Sequence, residues 1–205
     1  MAYFPMFIDL RGKQCLVVGG GSVALRKIKA LKEFGADMTV VAERICEEIK
    51  RIEGIQIVER TYKVSDTYSM TLVVAATDDK ALNHAIGQCC MKRKILVNAV
   101  DQMEDCSFLF GSYVRQMDLV AAFSSAGKSP VMSQYLKAQM KSYLSEELGA
   151  LNEYLGSIRK QVKDEVNTEA LRKKVYQEIM ELGLRNENLP KKHEIDAIIE
   201  KYSAK

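Results

Sequence analysis

Three consecutive glycines carry the strongest chemical signal in this chain. An apolar run ending at Val18 leads into Gly19, Gly20 and Gly21, and helical spacing follows. With Ala24 they match G-x-G-x-x-A, in which the first glycine turns tightly, the second admits a pyrophosphate and the small third residue packs helix on sheet. Because a helix N-terminus attracts phosphate, the stretch predicts a dinucleotide-binding loop. A tight turn that binds nothing is the alternative.

Polar residues also follow three other predicted strands, and the carboxyl ends of parallel strands share the sheet edge where ligands bind. Glu43 and Arg44 follow the second strand, where the acid could bind ribose hydroxyls and the guanidinium a phosphate. Charged residues at the start of the next helix are the alternative interpretation. Thr77 leaves room for a cofactor or begins a capped helix. Asp101 follows the fifth strand, near the expected nicotinamide position, and is the candidate acid or base. A solvated loop aspartate is the alternative.

A second loop, Ala122–Ser129, matches a relaxed P-loop with alanine in place of the first glycine. Pro130 removes an N–H at the helix start, and the loop lies beyond the parallel strands, so nucleotide hydrolysis is disfavoured. Binding of an acidic substrate through Ser124, Ser125 and Lys128 is the preferred interpretation. A simple capped turn is the alternative.

The cysteines and histidines do not predict a metal site. The five cysteines have no C-x-x-C spacing, and the chain has only two histidines, so zinc binding is disfavoured. The cysteines are interpreted as free thiols, and His84 as a structural residue on a helix face. No metal ligand is therefore predicted.

Alternation of apolar runs with helical patterns up to Val100 predicts a doubly wound parallel sheet. The predicted strands are Gln14–Val18, Asp37–Val41, Ile55–Glu59, Met70–Ala76 and Ile95–Val100. The predicted helices are Ser22–Phe34, Cys46–Ile52 and Asp79–Arg93, the last with Asp78 as N-cap.

The pattern changes after the fifth strand. Ser107–Val114 and Asp118–Phe123 are spaced as a hairpin. Helix is predicted from Pro130, with Ser129 as its N-cap. The charged stretch from Leu151 onward predicts a small helical appendage.

Composition limits the possible partners. The chain has 205 residues, of which 47% are hydrophobic and 28% charged. It contains neither a signal-peptide pattern nor an apolar run of the roughly 20 residues that a membrane span needs, so a cytoplasmic protein with no membrane partner is expected. A net charge of +3 is too mild to indicate nucleic-acid binding. It suits a small anionic ligand.

Taken together, the motifs resemble the precorrin-2 dehydrogenase family of the siroheme synthase N-terminal type. The matching segments are Pro5–Lys13, Val17–Lys27, Val74–Asp79, Asn98–Asp101, Cys106–Phe108 and Ser124–Val131. Their order and spacing hold over roughly the first 150 residues. The Asn-x-Val-Asp and Ser-x-Gly-Lys-Ser-Pro elements are the specific ones, and the glycine loop is generic.

The resemblance implies NAD-dependent oxidation of precorrin-2 to sirohydrochlorin by a homodimer. Asp101 would be the essential aspartate, and Ser125 the serine that some relatives phosphorylate. Cofactor contacts would include Gly19, Gly21, Ser22, Val23, Glu43 and Arg44, joined by Thr77. Arg115 and Lys128 would help to hold the many carboxylates of the substrate.

The implied architecture is an α/β fold in three parts. A Rossmann-like parallel sheet would occupy residues 1–112, a small β/α dimerisation region 113–148 and a helical C-terminal domain 149–205. Two positions depart from the family pattern: Glu43 stands where relatives often have proline, and Ala126 replaces a frequent glycine.

Two alternative functions stay open at this point. A bifunctional enzyme would also insert Fe²⁺ or Co²⁺ into sirohydrochlorin. An NAD-sensing regulatory module would need neither Asp101 nor a polar substrate loop, and its tail should be basic, whereas this tail mixes acids and bases. Glu43 and Arg44 favour NAD and NADP respectively, so the sequence leaves cofactor preference open.

Overall fold

A computed structural model of the chain describes residues 3–186 and 188–203. The chain divides into two compact units, with the boundary between Phe110 and Gly111. Along the described residues, none of the helices combines the length and apolar composition needed to cross a bilayer.

The first unit contains a five-stranded parallel sheet. Its strands are β1 (Gln14–Val18), β2 (Asp37–Ala42), β3 (Ile55–Glu59), β4 (Leu72–Ala75) and β5 (Leu96–Ala99). They lie in the order β3-β2-β1-β4-β5, and every neighbouring pair is parallel. This is the order of a dinucleotide-binding α/β sheet, so the predicted fold class is confirmed.

Helices and a short 3₁₀ turn connect these strands, and a second 3₁₀ turn follows β5. The helices are α1 (Ser22–Glu33), α2 (Glu47–Lys50) and α3 (Lys80–Lys92), and the turns are Val64–Thr67 and Met103–Asp105. The N-cap of α3 is Asp79, not Asp78 as predicted, because the Asp79 carboxylate accepts the N–H groups of Ala81 and Leu82 at 2.9 and 3.1 Å. A cap side chain must immediately precede the first helical turn, and the chain is not yet helical at Asp78.

Alternate strand residues form two apolar layers, one on each face of the sheet. On one face Val17 and Val40 pack against Ala24 and Ile28 of α1. On the other face the strands pack against α3, where Ile86 is fully buried. All four residues of β4 are buried, as its nearly continuous apolar run predicts for a central parallel strand.

The second unit begins with an antiparallel hairpin of β6 (Ser112–Gln116) and β7 (Leu119–Phe123). The prediction that the first of these strands begins at Ser107 was wrong. The Ser107 side chain accepts the Val97 N–H at 2.8 Å, and the Phe108 carbonyl accepts the Asn98 side-chain amide at 3.1 Å. These hydrogen bonds hold Ser107 and Phe108 against β5 of the parallel sheet, so they are not part of the hairpin.

Helices complete the second unit. They are α4 (Pro130–Tyr143), α5 (Glu146–Ser157), α6 (Arg159–Glu165), α7 (Glu169–Asn186) and α8 (Lys192–Ser203). The predicted start of α4 is confirmed: Pro130 occupies its first turn, and the Ser129 hydroxyl accepts the Met132 N–H at 3.2 Å. Val162, Ile179 and Ile199 are fully buried in the core of α6, α7 and α8.

The packing of α1 yields a stability prediction, because α1 holds the glycine loop on the sheet. Ile28→Ala should lower the free energy of unfolding by about 2–5 kcal/mol, since a fully buried side chain leaves a cavity. Lys29→Ala, at an exposed neighbouring position, should change it by less than about 0.5 kcal/mol. Urea unfolding followed by circular dichroism suits a chain without tryptophan. Equal effects would contradict this packing.

Candidate functional site

The glycine loop is fixed by contacts between backbone atoms. Gly19 has a φ of 128°, and a Cβ there would lie 2.2 Å from the Ala76 carbonyl oxygen. Only glycine satisfies both constraints. The loop therefore touches the end of β4, as the tight-turn interpretation of Gly19 requires.

Gly20, which the fingerprint leaves unspecified, is constrained as strictly. A Cβ there would lie 2.0 Å from the Arg44 carbonyl oxygen and 2.8 Å from the Ile45 Cα. The Cys46 N–H also donates to the Gly20 carbonyl at 2.9 Å. The loop after β2 thus packs directly on the glycine loop. This contact places Glu43 and Arg44 beside it. Three glycines in succession, rather than two, were the signal for this close approach.

Gly21 differs from its neighbours because nothing lies within 4 Å of a Cβ built there. It is the N-cap of α1 in an extended conformation and provides no side-chain cap, and the first turn contains no acid. Ser22 is exposed and Val23 half-buried. An uncapped helix start next to open space fits a dinucleotide pyrophosphate, which would accept the N–H groups that no side chain satisfies.

The side chains of Glu43 and Arg44 are both exposed. Neither takes part in any of the ion pairs or side-chain hydrogen bonds found between residues 3 and 186 or 188 and 203. Both are consequently available to a ligand next to the glycine loop.

Thr77 is held by a buried residue that the sequence analysis did not select. Its hydroxyl donates to the Asn83 side-chain oxygen at 2.7 Å, and the Asn83 amide donates to the Thr77 carbonyl at 2.9 Å. Asn83 is only 2% exposed. It shares the buried face of α3 with Ile86 and Cys90, and that helical spacing was the signal available for it. Thr77 therefore has a fixed position after β4.

Asp101 lies exposed in the turn after β5, with a φ of 60°. Aspartate tolerates this left-handed conformation better than most residues do, yet it persists only where neighbouring contacts impose it. The Val100 N–H donates to the Ala75 carbonyl at 2.9 Å, and the Gln102 side chain donates to the Lys80 carbonyl at 3.1 Å. Asp101 is thus held at the same edge of the sheet as the glycine loop.

A buried carboxylate anchors the next part of this turn. Asp105 is fully buried, its Oδ2 lies 2.8 Å from His84 Nδ1, and its Oδ1 accepts the Gln88 amide at 3.0 Å. A Cβ on Gly87 would lie 2.7 Å from the Asp105 Cβ, so glycine permits this approach. His84 accordingly has the structural role that the sequence analysis favoured, and it helps to tie the Asp101 turn to α3.

The serine loop belongs to the second unit. The Ser124 hydroxyl accepts the Ala126 N–H at 3.1 Å, and the Ser125 hydroxyl accepts the Ser129 N–H at 3.0 Å. Ala126 and Gly127 both have left-handed backbones, with φ values of 51° and 77°. The alanine that departs from the family pattern therefore occupies a position that favours glycine. Lys128 is exposed in the same turn.

Arg115 does not join these serines. It pairs in register with Val120, and its Nε donates to the Met117 carbonyl at 2.8 Å, near the hairpin turn. Ser124 follows Val120 by four positions in the sequence, which is roughly 13 Å of extended chain at 3.3 Å per residue. The structure thus groups Ser124, Ser125 and Lys128, with Arg115 towards the other end of the hairpin.

All five cysteines are free thiols. Burial raises the pKa of the Cys15 thiol to about 11 and that of the Cys90 thiol to about 12. These thiols stay protonated at neutral pH, which makes them poor nucleophiles. Within residues 3–186 and 188–203, no group of three or more His, Cys, Asp or Glu side chains could hold a metal ion.

Comparison with known proteins gives matches to both units. The family model described as "Putative NAD(P)-binding" matches residues 6–112. A siroheme synthase of Sodalis glossinidius is 37% identical over 183 residues, covering 88% of this chain and 39% of the relative. One of Thioalkalivibrio sulfidiphilus is 35% identical over 184 residues, covering 88% and 38%. The chain thus spans about two fifths of the length of these relatives.

A solved structure described as "SirC, precorrin-2 dehydrogenase" superposes with a TM-score of 0.75 at 27% sequence identity. The match covers 98% of this chain and 100% of that one. The resemblance inferred from the motifs is therefore confirmed at the level of the family.

The different surroundings of the glycines generate a paired prediction. Gly20→Ala should destabilise the fold by about 1–3 kcal/mol, because the new methyl group meets backbone atoms that cannot move independently. Gly21→Ala should cost less than about 1 kcal/mol. It should nevertheless weaken NAD⁺ binding at least tenfold, equal to about 1.4 kcal/mol, because its methyl group enters the space for the pyrophosphate. Thermal unfolding and calorimetric titration with NAD⁺ measure both effects. Unchanged NAD⁺ affinity in folded Gly21→Ala would contradict this site.

Proposed function

We propose, from the premise that the chain belongs to the NAD(P)-binding family whose model matches residues 6–112, that it oxidises precorrin-2 to sirohydrochlorin with NAD⁺. The observation that carries the proposal is the meeting of two features at one sheet edge. The open, uncapped start of α1 follows β1, and the Asp101 turn follows β5. The likeness to a precorrin-2 dehydrogenase over nearly the whole chain supports this choice of substrate.

In this proposal the residues around the glycine loop hold the cofactor. The first-turn N–H groups of α1, including those of Ser22 and Val23, would bind the pyrophosphate, with Gly19 and Gly21 providing the turn and the space. Glu43 would accept the ribose hydroxyls, and Arg44 would lie beside a phosphate. Thr77 would line the cofactor site from the end of β4. When bound, NAD⁺ supplies the acceptor for a hydride.

The remaining chemistry falls to Asp101. Removal of two hydrogens from the substrate releases one as hydride and one as a proton. The exposed carboxylate of Asp101 would accept that proton as general base or orient the ring nitrogens. Its backbone, held from β4 and α3, would keep the carboxylate at a fixed place on the sheet edge.

The serine loop would bind the substrate. Ser124, Ser125 and Lys128 lie in one ordered turn, where an ammonium and two hydroxyls suit a carboxylate. Arg115 would contact a different part of the polyanionic tetrapyrrole, because it lies towards the opposite end of the hairpin. The proposed NAD⁺ dependence and the five free thiols fit a reducing, cytoplasmic compartment.

We also propose that the protein is a homodimer joined through α4, within the predicted dimerisation region 113–148. None of the residues of α4 is buried. Its exposed apolar side chains follow helical spacing and include Val131, Met132, Tyr135 and Tyr143, which are 78%, 54%, 58% and 72% exposed. An unpartnered apolar stripe of this kind is typical of an interface. A second copy of the chain would bury it.

The central test is anaerobic turnover of precorrin-2 with NAD⁺ and no metal, read from the visible spectrum of sirohydrochlorin. The unaltered protein should form this product, which separates dehydrogenation from metal insertion. Asp101→Asn should lower kcat by about 10²–10⁴-fold, the usual contribution of a general base, while NAD⁺ affinity stays the same. Asparagine suits the left-handed backbone, and Glu104→Gln in the neighbouring 3₁₀ turn is the matched control. Full activity in Asp101→Asn would remove Asp101 from the mechanism.

The dimer predicts a change in molecular mass. Tyr135→Glu places a charge in the apolar stripe of α4 and should convert the dimer to a monomer, measured by size-exclusion chromatography with light scattering. Gln134→Glu, an exposed neighbour outside the stripe, should leave the dimer intact. A monomeric unaltered protein, or a dimer that survives Tyr135→Glu, would contradict an α4 interface.

A further inference from the structure

Lys27 is a half-buried cation that the proposed function has not used. It lies in α1 between the buried residues Ala24 and Leu31 on the helix surface. Its ammonium sits 3.9 Å from the centroid of the Phe110 ring, which in turn packs against Phe108 with the ring centroids 5.2 Å apart. The aromatic rings hold the charge at a defined position on the first unit.

Among the residues that the structure describes, no carboxylate forms an ion pair with Lys27. Among the ion pairs of residues 3–186 and 188–203, none with an N–O distance up to 4.0 Å includes Lys27, and its contact with Phe110 is cation–π. Burial lowers the pKa of Lys27, and the neighbouring Arg26 lowers it further. Cys106 and Asp101 act in the opposite direction, so both interact electrostatically with the ammonium. A desolvated cation without a carboxylate partner is stabilised when an anion arrives.

The position of Lys27 indicates which of two anions it would bind: the pyrophosphate of the cofactor or a carboxylate of the substrate. The pyrophosphate is assigned to the N–H groups at the start of α1. Lys27 lies beyond that first turn, and its ammonium lies over the Phe110 ring of the aromatic pair that follows β5. It also interacts electrostatically with Asp101, in the turn directly after β5. Its charge is therefore held in the region that follows β5, which also carries the candidate base Asp101.

We propose that Lys27 binds a carboxylate of the tetrapyrrole substrate and so positions the macrocycle beside Asp101. This inference rests on the proposed function. The substrate carboxylate would form the direct ion pair that no carboxylate among the described residues forms with Lys27, and Phe110 keeps the ammonium oriented before the substrate arrives. Binding then fixes the distance between one edge of the macrocycle and the carboxylate of Asp101, which acts on the proton.

The test compares three variants in the same anaerobic dehydrogenase assay. Lys27→Met keeps the length and alkyl packing of the side chain on Phe110 but removes the charge. It should raise the KM for precorrin-2 about tenfold or more, as expected for a lost charge-assisted hydrogen bond. Lys27→Arg, which retains the charge, should recover most of that loss. Lys29→Met removes an exposed charge from the same helix and should match the unaltered protein.

Two binding measurements accompany the assay: NAD⁺ titration by calorimetry, and sirohydrochlorin titration by visible absorption. The proposal expects NAD⁺ affinity in Lys27→Met to stay within twofold, and sirohydrochlorin to bind about tenfold more weakly. An unchanged KM and unchanged sirohydrochlorin affinity would overturn it. Loss of NAD⁺ affinity alone would also overturn it, because the anion would then belong to the cofactor.

The unaltered protein separates failure of this inference from failure of the proposed function. If the unaltered protein turns over precorrin-2 and the Lys27→Met variant has the same KM and the same sirohydrochlorin affinity, only the role of Lys27 is rejected. If the unaltered protein neither turns over precorrin-2 nor binds sirohydrochlorin, the proposed function is rejected, and the role of Lys27 is rejected with it. Circular dichroism of each variant identifies a folding defect, and folded Lys27→Arg then tests the requirement for charge independently.

Discussion

Backbone packed directly on backbone at the carboxyl edge of the parallel sheet is the constraint from which the candidate site follows. Gly19 meets the Ala76 carbonyl after β4, and Gly20 meets the Arg44 carbonyl after β2. At these distances a side chain on either glycine would force the loops apart. Because neither glycine has a Cβ, the loops that follow β1, β2 and β4 can pack together as one rigid unit. Gly21 is then left facing open space at the start of α1.

The Asp101 turn is the second fixed part of the site. It is held by α3, which packs on the face of the sheet opposite α1. Asn83 positions the loop after β4, while His84 and Gln88 hold the buried carboxylate of Asp105 in the chain that leaves β5. A single helix, α3, therefore fixes both the loop that follows β4 and the chain that follows β5. The left-handed backbone of Asp101 is maintained because the chain on both sides of it is bonded to neighbouring elements.

The sequence predicted the parts of this fold that local pattern determines. β1 and β3 have the predicted bounds, because a short apolar run bounded by turn residues specifies a parallel strand. The hairpin began later than predicted, because Ser107 and Phe108 have β-forming character but are bonded to β5. That choice depends on partners distant in sequence. For the same reason Gly20, Asn83 and Lys27 were missed, since each acquires its role from a neighbour on another element.

Charge at the sheet edge is distributed in a way that suits two anionic ligands of different shape. The start of α1 offers N–H groups and a partial positive charge without an opposing acid in its first turn, which suits a compact pyrophosphate. Further along the same helix, Lys27 offers a full charge on an aromatic support, which suits a carboxylate at the edge of a large ring. Because α1 is fixed to the sheet by fully buried residues, the backbone positions that carry these two positive regions are held on one rigid element. In the proposed function, one helix would therefore hold both the cofactor and the substrate, and the second region interacts electrostatically with the carboxylate of Asp101.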